Sequence, residues 1–327
     1  MRRPPPAAFL LMLALLLGSE LVVRLCFARN MSGRFEYGYH PTAGFQENRD
    51  GTVQLVRAGG RRFFPQSFTQ ARPPGVFRIL TIGDSVSRGP SLPDAYPGLL
   101  GEQLREAGSK VESFNLGVPG YGARRREIVL RKALEYQPSL VILHVNWSNE
   151  YEDERELRRS QEFTSWHPKN WLMKSRVIRR LYEAKTELMF WQWLPAKVRL
   201  QKAVSDADAE LSASADAAKV RAWDERIRRS TAECIALARA RNVPVLLLSQ
   251  ARFEPNATGQ FKLEDNGLDV WLAAQQGAGV YHLSMKQILA PLKPETLFAD
   301  GAHLRRAGHE ALAAAIKQEL LRAGLIH

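Results

Sequence analysis

From Val76 onward, short β-branched runs alternate with longer amphipathic segments, and few architectures accept that order. Val76-Phe77-Arg78-Ile79-Leu80-Thr81-Ile82, stopped by Gly83, predicts a buried strand. Ala95–Ala107 reads as a helix, Val111–Leu116 as a strand closed by Gly117, and Arg124–Tyr136 as a second helix. Leu140–Val145, opened by Pro138, is a third strand. Val220, Trp223, Ile227, Cys234 and Ala238 fall on one face of a long helix over Val220–Arg241. Val243–Leu248 gives a fourth strand, Val280–Leu283 a short fifth, and Leu304–Leu321 a closing helix. Strands separated by helices pair in parallel through right-handed crossovers, so residues 76–327 are expected to form a three-layer α/β domain.

Two regions break the alternation. Gly33–Pro74, within a lead-in over residues 31–75, shows no sustained helical period and suits a small hairpin or an extended arm. Tyr151–Lys219 reads as an irregular, largely helical insertion holding Trp166, Trp171, Trp191 and Trp193 among basic residues. Leu172, Ile178, Leu181, Tyr182, Leu188 and Met189 approximate one helical face there. That face would dock on the domain or lie on a membrane. Ala203–Ala218 reads as a solvated helix or linker.

Chemistry concentrates at the ends of strands. Gly83-Asp84-Ser85 stands where the first strand must turn, and in a parallel sheet functional groups collect beyond the carboxyl ends. A serine nucleophile needs a base, and the base an orienting carboxylate. Asp300-Gly301-Ala302-His303, ahead of the last helix, supplies both at a spacing that lets the carboxylate reach the ring. Gly117 after the second strand would present a backbone N–H to the crevice, and Asn149 after the third a side-chain N–H₂. Asp84 reads as a residue that braces the loop, His309 as a surface residue, His144 as a core or rim group, and Cys234 as core.

On these residues the sequence resembles the SGNH (GDSL-type) hydrolases, with four blocks in family order between about Val76 and Leu320. The resemblance implies a flavodoxin-like fold with Ser85 as nucleophile, His303 as general base and Asp300 as its partner. It also implies an oxyanion hole made by the Ser85 and Gly117 backbone N–H groups and the Asn149 amide. At the third block Trp147 stands where the family commonly has glycine, and a glycine of positive φ there would mean a strained loop. The activity implied is hydrolysis of an ester, with glycan or lipid as candidate alcohol parts. Two alternatives share the pattern: an O-acyltransferase or deacetylase acting on envelope polysaccharide or peptidoglycan, and a binding scaffold disabled by Trp147.

Residues 1–30 stand apart. Arg2 and Arg3 precede an apolar run over Ala7–Leu17, which resumes at Leu21-Val22-Val23 after Gly18-Ser19-Glu20. This reads as an uncleaved signal-anchor, a transmembrane helix with the body exported to the periplasmic or extracellular side; the alternative is secretion after signal cleavage. Of 327 residues 45% are hydrophobic and 24% charged, enough for a sizeable core and unlike a disordered chain. Two cysteines, Cys26 and Cys234, rule out a disulfide-stapled fold and multi-cysteine zinc sites. No metal or nucleotide motif is present, so no cofactor is expected. The net charge of +12 includes an Arg124–Arg126 triplet but accompanies no nucleic-acid-binding pattern, which points the charge toward membrane or envelope polymer.

Overall fold

The computed structural model describes residues 6–26, 38–39, 43–55, 63–147, 149–162, 172, 175–178, 181, 216–255, 261–265 and 267–326. Among them the chain runs α1 (Pro6–Cys26), β1 (Phe45–Glu47), β2 (Thr52–Leu55), β3 (Ser67–Thr69), β4 (Phe77–Gly83), α2 (Ser85–Arg88) and α3 (Tyr96–Glu106). It continues through β5 (Val111–Gly117), α4 (Ala123–Ala133), β6 (Leu140–Val145), α5 (Glu150–Glu162), α6 (Ala217–Arg239) and β7 (Val245–Ser249). The last part holds β8 (Arg252–Pro255), β9 (Phe261–Glu264), α7 (Leu268–Ala273), β10 (Val280–Ser284), α8 (Met285–Leu289), α9 (Pro294–Leu297) and α10 (Arg306–Arg322).

Five strands form one parallel sheet in the order β10-β7-β6-β4-β5. Counted among themselves they run 2-1-3-4-5, the doubly wound order whose crevice opens where the winding reverses. That reversal lies between β4 and β6. Alternate residues of each strand feed opposite faces. Leu80, Ile82, Leu143 and Leu247 pack with Val129 and Leu130 of α4 and Ile227 and Cys234 of α6. Ile79, Ile142, Leu246 and Leu248 pack with Leu100 and Leu104 of α3 and Leu312 and Ile316 of α10. The result is helix, sheet, helix, with each fully buried Leu or Ile contributing about 1.5–3 kcal/mol.

The lead-in is more than an arm. β1, β2 and β3 form an antiparallel sheet, and its Phe45, Val53 and Phe68, with Phe63 ahead of β3, join the core beside Tyr136. Gln66 closes the outer edge of β5, accepting from the Asn115 N–H at 2.9 Å and donating to its carbonyl at 2.8 Å. Part of the expected irregular insertion is regular: Glu150–Glu162 is helical, with Glu150, Glu152 and Asp153 in its first turn, where carboxylates oppose the helix dipole favourably. The four tryptophans of the insertion lie outside the described residues, as do Tyr182, Leu188, Met189 and most of Ala203–Ala218.

The expected spanning segment finds no support among the described residues. α1 is one helix, and Leu10, Leu15 and Leu25 on it are exposed. Its unbroken apolar part, Ala7–Leu17, is eleven residues, about 16 Å of helix against a hydrocarbon thickness of about 30 Å. Past it, Glu20 pairs with Arg24 at 2.7 Å and accepts from the Ser175 hydroxyl and the Arg176 and Val177 N–H groups. Among the described residues no helix is long and apolar enough to cross a membrane.

Candidate active site

Ser85 is the first residue of α2, directly beyond β4, and Asp84 is the N-cap. The cap carboxylate accepts from the Val86 N–H at 2.9 Å through Oδ1. Through Oδ2 it accepts from two side-chain amides past β6, Asn146 Nδ2 and Asn149 Nδ2, each at 2.8 Å. Asp84 is 1% exposed. One carboxylate therefore ties the turn after β4 to the loop after β6, across the reversal point of the sheet.

The Ser85 hydroxyl lies 2.9 Å from His303 Nε2 although 218 positions separate them. On the other side of the ring, Nδ1 lies 2.8 Å from Asp300 Oδ2 and 3.1 Å from Oδ1. A carboxylate only accepts, so Nδ1 carries the proton and Nε2 is left to accept from the serine. Asp300 also takes the N–H groups of Ala302 at 2.8 Å and His303 at 2.7 Å, which fixes the four-residue turn. Burial pushes the Asp300 carboxyl up, but those N–H groups and the His303 ring outweigh it and leave it below the ordinary carboxylate value. Side-chain exposures of 48% for His303 and 59% for Asp300 leave this edge open to solvent.

Of the three expected oxyanion donors, Asn149 keeps a second amide hydrogen beyond the one given to Asp84. The Ser85 N–H, at the start of α2, has no acceptor among the described residues. Gly117 does not fit its expected part. Its N–H donates to Asn115 Oδ1 at 2.9 Å. A Cβ at this position would lie 2.5 Å from Arg88 N and 2.6 Å from Ser87 Oγ, so glycine lets β5 close against α2. The N–H left without an acceptor on this loop is that of Gly120, a residue to which the sequence assigned no part. Val118-Pro119-Gly120-Tyr121 is a turn closed by Tyr121 N to Val118 O at 3.2 Å, with Gly120 at φ +72°. That is a type II turn, whose third residue favours glycine and whose central N–H points away from the ring. No described residue accepts from the Gly120 N–H. The Pro-Gly dipeptide was the signal, one turn past the glycine that ends the strand.

Trp147 does not have a positive φ, so the residue itself carries no such strain. Its ring packs on the core, with the Arg252 guanidinium 5.3 Å from its centre. His309 is buried, contrary to the surface position expected of it, because α10 turns it onto Tyr96, whose N–H donates to its Nδ1 at 3.4 Å. His144 is buried on the other side of that tyrosine, 3.3 Å from its hydroxyl. Burial lowers both imidazoles to about 4; Arg126 adds to the shift at His144, and His144 to that at His309. Cys234 is buried, and burial pushes its thiol up to about 12. Among the described residues no group of three or more His, Cys, Asp or Glu is arranged to hold a metal ion.

No known family profile matches the sequence, and no curated protein matches it either. Among solved structures, the chain is similar to an acetyl xylan esterase, AlAXEase, at 14% identity and a TM-score of 0.45, over 75% of this chain and 100% of that one. It is similar to a carbohydrate esterase family 3 protein from Talaromyces cellulolyticus at 14% identity and a TM-score of 0.41, over 76% and 97%. A GDSL-like lipase from Bacteroides thetaiotaomicron is similar at 12% identity and a TM-score of 0.39, over 75% and 88%.

Proposed function

We propose that this chain is a serine esterase of the SGNH (GDSL) kind. The observation that carries the reading is the line from Asp300 through His303 to Ser85, with contacts of 2.8 and 2.9 Å on the two ring nitrogens. Ser85 Oγ attacks the ester carbonyl as His303 Nε2 takes its proton. Asp300 holds the ring and stabilises the imidazolium. The developing oxyanion is received by the Ser85 and Gly120 N–H groups and the second hydrogen of Asn149 Nδ2. The alcohol leaves with the proton from His303. Water, deprotonated in turn by His303, then releases the acid and regenerates Ser85.

The full chain is expected to hydrolyse 4-nitrophenyl acetate, and Ser85→Ala to reduce the rate to that of buffer. A fluorophosphonate probe is expected to label Ser85. Equal turnover by the two proteins would overturn the reading. For placement we propose an exported body held at a lipid surface by the exposed leucines of α1. Vesicle flotation of the full chain, lost on deletion of residues 6–26, tests this, and unchanged flotation would refute it.

A further inference from the structure

Two of the groups assigned to the oxyanion, the Gly120 N–H and the Asn149 amide, come from separate loops after β5 and β6. Their spacing must hold to within about half an ångström to stabilise a transition state. Behind them lies an ion pair that the reaction does not use. Arg125, in the first turn of α4, and Asp153, in the first turn of α5, have side chains 0% exposed and lie 2.5 Å apart.

Both members reach the loops in question. Arg125 Nη2 donates to the Gly120 carbonyl at 2.5 Å, and Asp153 Oδ1 accepts from the Gly122 N–H at 3.3 Å. The turn that carries the Gly120 N–H is thus held at its carbonyl by the cation and two residues later by the anion. Asp153 is fixed to the other loop as well, since its own N–H donates to the Asn149 carbonyl at 2.9 Å. Two tyrosines enclose the cation, Tyr121 at 4.6 Å and Tyr39 at 5.4 Å, and the Tyr39 hydroxyl donates to the Asp153 carbonyl at 2.5 Å. A second tie, from the Ala123 N–H to Glu150 Oε1 at 2.6 Å, joins the two helices but stops short of Gly120.

Glycine at positive φ has the widest conformational freedom of any residue, and a turn built on it drifts unless its peptides are held. A buried ion pair is a costly way to gain stability, because desolvation consumes most of the attraction and apolar replacements often do as well. What apolar side chains cannot do is grip a carbonyl. We infer that the Arg125–Asp153 pair is a positioning device that sets the separation of the Gly120 and Asn149 donors. This inference rests on the esterase reading.

The test uses the full chain with both residues replaced, Arg125→Met with Asp153→Leu, so that no charge is left buried alone. Its thermal midpoint is expected near that of the wild type, with kcat for 4-nitrophenyl acetate lowered about 10- to 100-fold and KM within about twofold, below the loss for deleting a donor outright. Arg125→Lys keeps the charge but not the fork that serves both Asp153 and Gly120, and a smaller fall in kcat is expected. A folded double variant with wild-type kcat would overturn the inference. So would full kcat in Arg125→Lys if the double variant fails to fold, or a loss confined to KM. Wild-type turnover that survives Ser85→Ala is a different failure: it removes the esterase reading and the clamp with it.

Discussion

Asp84 neighbours the proposed nucleophile yet faces away from it, and replacing it by asparagine separates holding the site from performing the reaction. Three N–H donors converge on the carboxylate, two of them buried: Val86 N, Asn146 Nδ2 and the half-buried Asn149 Nδ2. Asparagine keeps one acceptor atom for the three. If that atom faces Val86, an N–H₂ group confronts two others. If it faces the asparagines, the N-cap bond of α2 is lost, at about 1 kcal/mol. Either way, bonds to a charged acceptor become bonds to a neutral one, each weaker by about 1 kcal/mol. The expected cost is about 2–4 kcal/mol, a large part of a typical folding free energy of about 5–15 kcal/mol. Urea unfolding reads this cost, and hydrolysis of 4-nitrophenyl acetate reads the aim of Asn149, with a fall of up to about 10²–10³ in kcat when its amide turns away. The exchange Asp84→Asn with Asn149→Asp restores a donor facing an acceptor. It should recover at least half of the lost stability, but none of the activity, because the carboxylate brought in by Asn149→Asp has no N–H to offer an oxyanion. Asp84→Asn with wild-type midpoint and wild-type kcat would refute this account of the carboxylate.

Trp147→Gly installs the residue commonly seen at this block, but the backbone here has no positive φ to relieve. Loss of the ring from the core should cost about 2–4 kcal/mol with no gain in turnover, and an unchanged melting temperature or faster turnover would count against it. The buried pair His144 and His309 makes stability depend on pH. Both are lowered from 6.5 to about 4, so between these values the unfolded chain binds more protons and stability falls as pH drops, levelling below about 4. At 1.36 kcal/mol per unit this is about 3 kcal/mol apiece, and less than twice that for the two, since repulsion from His144 is part of the shift at His309. Chemical unfolding at pH 7 and pH 5 measures it; in His309→Asn the slope should shrink, and a slope unaltered by that change would exclude the assignment.

The sheet was legible because its signal is local: Ile79–Ile82, Leu140–Val145 and Val245–Leu248 are runs of strand length, apolar but for Thr81 and His144, each ended by a small or polar residue. Ser85, Asp300 and His303 were legible for a related reason, since strand ends and helix starts are where a parallel sheet exposes functional groups. What failed depends on partners remote in sequence. Gly117 and Gly120 both follow a strand, and which N–H is free is decided by the Asn115 side chain, which takes the Gly117 N–H because the Ser87 and Arg88 carbonyls of α2 hold it there. His309 looks like a surface residue by its place on α10 until Tyr96 is brought against it. The edge of β5 gave no sign that Gln66, 49 positions away, would complete it.

The arginine triplet carries the same lesson into electrostatics. Three consecutive cations suggest a patch for an anionic polymer, but an α-helix spreads consecutive residues over about 100° each and cannot keep all three on one face. Arg125 turns to Asp153, and Arg126 is 2% exposed, donating to the His144 carbonyl at 3.1 Å. Arg78, equally buried, pairs with Glu112 and donates to the Tyr136 carbonyl at 2.6 Å. Each costs several kcal/mol of desolvation and is kept because a guanidinium can grip several oxygens at once. These arginines act inside the protein, between segments whose carbonyls must stay in place. The outward field, and any attraction to an anionic surface, is left to cations exposed elsewhere, among them Arg229 on α6 and Arg305 ahead of α10.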